Sequence, residues 1–511
     1  MTSTIFALAV YAMFLIIGIP MYLVFPKKYK WTILLILSIA GIIALTSYWA
    51  IFVFVMILIS YITTRLMKKN ILDFKEVKDT LSKEDKKAYK KKYKKNNKII
   101  MLTGVIIAVL VLATLKYFHL PLGFLNKTFE DYSWTIWFPI VGISYYTLIA
   151  ISYMVDCYNE KYEAENNIFK VALFIGYLPS MLEGPFNRYD EVQTQLTKED
   201  NPSYEYIING LLTIAFGVFL KLVVSDRIAM LVDPIFKNYN DYTRISILIA
   251  MVMYVFKLYF DFLGFIKLAE GVSLCFGIKL HKNFDTPLLS ISVSEFWRRW
   301  HITLGAWLKD YIFYPIALSK PVMAISKKAY GHVPKILEGI IINAIPLFFV
   351  WLVCGIWHGA GIKYIVYGMY YFLIIMLEML TDYKINKMEK IPYALKFVLW
   401  LRTFVIVVIG LAIFKCNTLS DFAGMMKALF VGNGKNNITS IVRTLEFLAL
   451  FGFTIIACAI NVLVKFMPKL EVWHLNPWVK MVAFSIVVLV ILLMGCYGAS
   501  YVGVDPEYAA F

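Results

Sequence analysis

Charged side chains make up only 17% of the 511 residues, whereas a water-soluble domain needs about a quarter of its residues charged to cover its surface. That shortage excludes a soluble globular enzyme. The six cysteines, at 157, 275, 354, 416, 458 and 496, form no C-x-x-C pair and fall mostly inside apolar blocks. They read as small membrane-core residues, not as a disulfide framework or a metal site. Sustained heptads are missing, as is the alternation over roughly ten residues that an outer-membrane barrel requires. Disorder is excluded by a hydrophobic content of 60%, too high for a chain that cannot bury a core. No internal repeat pairs broken segments in two halves, the usual pointer to a secondary transporter. No soluble catalytic domain is appended.

What remains is a series of apolar blocks of about twenty residues, the length that crosses a ~30 Å hydrocarbon layer. The first, Ile5 to Phe25, has no basic region before it and reads as a retained span, not a cleavable signal. The second, Trp31 to Ile62, is too long for one span and short for two. Lys27, Lys28 and Lys30 precede it and a strongly basic segment follows. Both lie on one side only if the block is a hairpin turning near Thr46 to Tyr48. Further spans are expected at 99–118, 134–155, 204–224, 245–263, 264–280, 336–354, 361–381, 393–415, 442–466 and 480–500. Residues 168–182 are too short to cross and are broken by Pro179 and Glu183-Gly184-Pro185, which suits a re-entrant element. The segment from Cys416 to Ser440 reads as a polar external loop.

The formal net charge of +17 points away from nucleic acid once its location is considered. Residues 65–98 hold fourteen lysines and arginines against five carboxylates, more than half of the excess. By the positive-inside rule this basic loop is cytoplasmic, the N-terminus lies outside, and anionic headgroups are attracted to it.

Residues 291–316 are hydrophobic without being a clean span. Phe296, Trp297, Trp300, Leu304, Trp307, Leu308 and Tyr311 recur at helical spacing, with Glu295, Arg298, Arg299, Thr303, Lys309 and Asp310 on the opposite side. This pattern predicts an amphipathic helix in the interface or packed inside the protein, with His301 beside its aromatic stripe.

Of six histidines, His119, His332 and His474 read as interfacial and His281 as a loop residue. His358 differs. It sits in the apolar run from Pro346, with no other ionisable side chain until Lys363, and with Gly355, Gly359 and Gly361 nearby. An imidazole at membrane depth is a functional candidate by default, and the glycines allow a close backbone approach or a helix break. His301 and His358 have no metal-ligand spacing and no acidic cluster accompanies them, so no metal is expected.

The segments Glu295-Phe-Trp-Arg-Arg-Trp-His301-Ile-Thr-Leu-Gly-Ala-Trp-Leu-Lys-Asp310-Tyr and Gly355-Ile-Trp-His358-Gly-Ala-Gly resemble the two hallmark motifs of membrane-bound O-acyltransferases. Supporting segments are Phe138-Pro-Ile-Val-Gly-Ile-Ser-Tyr-Tyr-Thr-Leu, Asp156-Cys-Tyr, Gly184-Pro185-Phe-Asn-Arg188 and Tyr259-Phe-Asp261-Phe-Leu-Gly264. They run in the family's order over roughly residues 5 to 430. The nearest branch acetylates alginate and other exported polysaccharides, with teichoic acid D-alanyltransferases as relatives. One departure leans towards the D-alanyl branch: Tyr314-Pro-Ile-Ala-Leu-Ser-Lys320 stands where a Pro-Leu-Gly-Gly-type turn is usual. The length and the C-terminal spans lean the other way.

The resemblance implies an all-α polytopic membrane protein, one domain over 1–511. Its expected form is a ring of about 11–13 tilted and re-entrant helices around a central catalytic cavity, in a bacterial plasma membrane. Within it lie the 65–98 basic loop, the 291–316 motif helix, the 336–381 histidine region and the C-terminal spans of 442–500. It implies acyl transfer, most simply of acetyl, from a cytoplasmic thioester, acetyl-CoA or an acyl carrier protein, to a hydroxyl of an exported or cell-wall polysaccharide. No tightly bound cofactor is expected. Membrane lipids, the donor and a separate extracytoplasmic transferase are the expected partners; nucleic acid is not. D-alanyl transfer to teichoic acid is the alternative within the class, and a transporter or flippase the alternative outside it. His358 matches the family's catalytic histidine and acts as general base. His301 matches its second histidine and orients the acceptor or stabilises the oxyanion. Arg298 and Arg299 bind donor phosphates or anchor the helix to headgroups. Asp310 fixes local helix geometry by pairing with a base such as Arg299 or one beside Lys309. Trp297, Trp300, Trp307 and Trp357 line the cavity or pack the core.

Overall fold

The computed structural model describes residues 3–117, 142–381, 391–438 and 445–497, together with 385 and 388. Within them the regular structure is helical, apart from one isolated bridge between Tyr242 and Asn436. Among the described residues ten helical segments are long and apolar enough to cross a membrane. This is the expected solution for a chain whose backbone amides must pair within the same segment when no water is available.

In chain order the helices are α1 Ser3–Val24, α2 Lys30–Thr46, α3 Ile51–Val77, α4 Lys83–Tyr117, α5 Ile143–Tyr158, α6 Ile168–Ile175, α7 Leu178–Met181, α8 Tyr189–Leu196, α9 Tyr204–Phe219, α10 Asp226–Lys237 and α11 Arg244–Cys275. Then follow α12 Val293–Arg299, α13 Ile302–Leu308, α14 Tyr314–Ala317, α15 Lys320–Ala329, α16 Lys335–His358, α17 Ile362–Thr381, α18 Tyr393–Lys415, α19 Leu419–Val431, α20 Leu445–Phe466 and α21 Pro477–Met494.

The long second block breaks where its turn is expected. Ser47 has a left-handed φ of 52° and opens a short 3-10 stretch to Ala50; α2 and α3 then share α6 as a neighbour. The first part of the span expected at 134–155 lies outside the described residues, as does His119. From Ile143 it is a helix buried on nearly all sides, a core element with little lipid contact. Residues 168–182 form the two short buried helices α6 and α7.

Three expectations are corrected. The basic loop of 65–98 is a helical hairpin: α3 runs on to Val77 and α4 begins at Lys83. Lysine and glutamate are good helix formers. Phe74 packs on Tyr89 and Tyr93, at 5.6 and 5.1 Å, and Asn70 donates to Asn97 at 2.7 Å, clipping the two arms together.

The two spans placed at 245–263 and 264–280 are one helix of 32 residues, α11, roughly 48 Å long. The polar residues along it are paired inside. Lys221 lies 2.6 Å from Asp261 and 2.8 Å from Asp226, with Lys257 3.5 Å from Asp261, all buried. Gly264 faces Gly217 so closely that a Cβ on Gly217 would come within 2.7 Å of the Gly264 carbonyl. The glycine therefore marks helix contact, not a turn. Likewise the segment 416–440 is largely α19, started by a Thr418 and Asp421 capping box.

Helices α16 and α17 form a tight antiparallel hairpin. Gly368 sits against the Trp351 carbonyl and Gly355 against that of Tyr364, closer than any Cβ allows. This hairpin carries His358 to its turn.

Candidate functional site

His358 is the last residue of α16, and Gly359 then leaves the helix in an extended conformation. The terminal carbonyls of a helix have no partner within it; here α4 supplies them. The Lys116 amine donates to the Trp357 carbonyl and to Ser144 Oγ (3.1 Å), and the Tyr117 hydroxyl donates to the Ile356 carbonyl. A cation at a helix C-terminus also meets the negative end of its dipole. The Lys116 amine lies 5.5 Å from the centre of the Trp357 ring. The His358 ring is 3% exposed and is walled by Trp357, Phe414, Tyr367 and Tyr364, with centroid distances of 4.8, 5.1, 5.7 and 6.4 Å.

His301 arrives differently from expectation. Residues 291–316 are not one helix: α12 ends at Arg299, His301 adopts a left-handed φ of 48°, and α13 begins at Ile302. The cause is Asn283, from the connection after α11. Its Oδ1 accepts from Thr303 N (3.1 Å) and Thr303 Oγ1 (2.9 Å), and lies 3.2 Å from His301 Nδ1. Its backbone carbonyl accepts from Ile302 N at 2.9 Å. Asn283 thus caps α13 in place of a local side chain. Because Asn283 Oδ1 is an acceptor for two other donors, His301 Nδ1 carries the proton of that contact, which leaves Nε2 as the basic nitrogen of the neutral ring. His301 stacks on Phe186 at 5.6 Å, meets Phe262 edge-on at 4.7 Å and lies 6.2 Å from the Trp357 ring.

The segment Glu183 to Arg188 also belongs to the site. Phe186 stacks on Tyr145 at 4.8 Å, and its amide donates to Thr303 Oγ1 at 3.0 Å. Arg188 pairs with Asp310 at 2.9 Å and covers the Tyr311 ring. This corrects the partner expected for Asp310, since Arg299 is taken by Glu295, one turn away on the same helix, at 2.5 Å. Arg298 is exposed. Trp297 packs against Trp351, Tyr371 and Tyr367, and through Tyr367 adjoins His358. Trp300 packs on Tyr259, Phe284 and Phe296, as a core residue would. Trp307 donates its indole N–H to the Leu148 carbonyl at 2.9 Å.

The start of α12 is held from another helix. The Glu378 carboxylate in α17 accepts from Val293 N (2.7 Å) and Ser294 N (3.1 Å), and Arg402 in α18 pairs with it at 3.0 Å. Two membrane helices therefore fix the motif helix that leads into His301. Asn283, Phe186, Lys116 and Glu378 were not among the candidates from sequence. Two carried a usable signal: Lys116 and Glu378 are, like His358, ionisable residues inside apolar blocks.

Away from the membrane-spanning helices, His281 forms an ion pair with Glu191 at 2.9 Å. The bond to Glu191 raises the His281 pKa, and that to His281 lowers the Glu191 pKa.

The arrangement joins two imidazoles through one indole, in an aromatic enclosure bordered by a lysine. It suits proton transfer to or from a bound hydroxyl with water excluded. The family model for membrane-bound O-acyltransferases (MBOAT) matches residues 32–327, more than half of the chain, and the chain belongs to that family as a multi-pass membrane protein. The matched segment holds His301 and ends before His358. Among its relatives, a probable alginate O-acetylase AlgI of Pseudomonas aeruginosa is 30% identical over 336 residues, 65% of this chain and 60% of the relative. The peptidoglycan O-acetyltransferase of Helicobacter pylori is 26% identical over 362 residues, 65% of each chain. The teichoic acid D-alanyltransferase of Bacillus subtilis is 28% identical over 235 residues, 45% of this chain and 56% of the relative. The chain thus spans about 60% of the length of the alginate relatives it matches.

Proposed function

We propose that the protein is an O-acyltransferase of the plasma membrane that passes an acyl group, most simply acetyl, from a cytoplasmic thioester to a hydroxyl of an exported or cell-wall polysaccharide. The observation that carries this reading is the His301, Trp357 and His358 cluster, in which two buried imidazoles meet one indole. The family membership and the two O-acetyltransferase relatives support it.

In the proposed step the acceptor oxygen attacks the thioester carbonyl while His358 takes its proton. The C–O bond forms, the C–S bond breaks, and the thiol leaves with a proton returned from the imidazolium. An alcohol is a poor nucleophile at neutral pH, and a positioned base contributes typically ~10²–10⁴ in rate. His301, oriented by Asn283, holds the acceptor or the developing oxyanion. The donor is acetyl-CoA or an acyl carrier protein, and the protein works beside a separate extracytoplasmic transferase. The N-terminus lies outside and the basic hairpin inside.

Purified full-length protein incubated with radiolabelled acetyl thioester tests the reading. Label transfer to an acceptor hydroxyl supports it. Transfer of D-alanine from a charged carrier, with none of acetyl, would move the protein to the teichoic acid branch. Neither transfer, from protein that remains folded, would overturn it.

A further inference from the structure

The helical hairpin of α3 and α4 distributes its charge unevenly. Its tip, residues 73–87, holds five lysines and five carboxylates and is neutral. Its base, residues 65–72 and 88–98, holds nine lysines and arginines and no carboxylate. The whole excess of the hairpin is therefore a collar where the arms enter the apolar part of the molecule.

Three features of the collar identify what it meets. Lys69, Lys90, Lys91, Lys92, Lys95 and Lys98 are exposed, and none lies within ion-pair distance of a carboxylate among the described residues. Directly below them begins an exposed aliphatic band: Ile62, Leu66, Ile99, Leu102 and Ile106. And the collar has the depth of a headgroup layer. From Lys98 to Lys90 α4 rises roughly 12 Å. The polar zone on each side of a bilayer is about 5–8 Å thick, and its potential persists for about a further 8 Å. A rigid basic ring above a greasy one, beneath a neutral tip, has the profile of a phospholipid. An acidic soluble protein would instead be met by a charged tip, the part that projects furthest.

We propose that the collar is a binding surface for anionic phospholipid headgroups, with acyl chains lying along Leu66, Ile99 and Leu102. The inference does not depend on the acyl-transfer reading. The neighbouring cavity between α3 and the connection after α5 is a poor site for the phosphate, because Glu160 and Glu163 line it beside Lys68 and Lys75.

The test uses full-length protein in phosphatidylcholine vesicles carrying a trace of spin-labelled phosphatidylglycerol or phosphatidylcholine, with the motionally restricted fraction measured for each. Wild-type protein is expected to favour phosphatidylglycerol by about five-fold or more, in line with several surface lysines, and to lose that preference in high salt. Replacing all six exposed lysines by glutamine should bring the ratio close to one; Lys83→Gln with Lys87→Gln at the tip should leave it unchanged. All six side chains are exposed, so folding of the variant is checked simply by its elution profile and thermal midpoint. Equal association of the two lipids with wild type, a preference that survives the six replacements, or one lost in the tip variant would each overturn the proposal. So would binding of purified acyl carrier protein that depends on the six lysines while no lipid preference is found.

Discussion

His301 and His358 come from separate elements and reach the same indole, that of Trp357, at centroid distances of 6.2 and 4.8 Å. One is carried by a break in a short motif helix, the other by the last residue of a long membrane helix. Their meeting depends on the devices that end each helix, and most of the predictions concern those devices.

His358→Ala should lower acyl transfer by at least about a hundredfold, the lower range for loss of a general base, without changing membrane insertion. Combining it with His301→Ala should cost little more, because residues that act in one step are not additive. Initial rates of label transfer for the two single variants and the double variant check both statements.

Asn283→Ala removes the acceptor shared by the Thr303 amide, the Thr303 hydroxyl and the His301 ring. A lost cap of this kind costs about 1–2 kcal/mol. A thermal midpoint lowered accordingly, with a larger loss of kcat than change in KM, is the expected outcome.

Glu378→Ala frees two backbone amides at the start of α12 and leaves Arg402 without its carboxylate. Roughly 1–3 kcal/mol of destabilisation follows for a half-buried pair. Glu378→Gln retains an acceptor and should recover part of the loss in both stability and transfer rate.

The His281 and Glu191 pair sets a pH window. His281 has a raised pKa, so its contribution is complete below the ordinary histidine value and is lost as pH rises through the raised one. Glu191 has a lowered pKa, so its contribution is complete above the ordinary glutamate value and is lost as pH falls through the lowered one. Stability should therefore peak between the two, and His281→Gln should flatten that dependence in thermal midpoints measured across pH. Both side chains are substantially exposed, so the effect is small.

Most membrane helices were legible in the sequence because hydrocarbon length imposes one physical rule on all of them. The basic hairpin was misread because positive charge indicates side, not secondary structure. Helix α11 was divided in two because about twenty residues suffice for one crossing; only the partners on α9 and the segment after it show that its charges and Gly264 are buried in helix contact. His358 was found as a lone ionisable group in an apolar block, and the same test applied to Lys116 and Glu378 picks out both. Asn283 was beyond reach, since nothing local to it indicates that it caps a helix started nineteen residues later.

Helix α4 bears the lysine collar at one end, while its other end holds the carbonyls next to His358. From Lys98 to Lys116 is roughly 27 Å of continuous helix. The lysine collar and the two side chains that close the end of the His358 helix therefore belong to one continuous helix, so what orients that helix in the membrane also orients the end of α16.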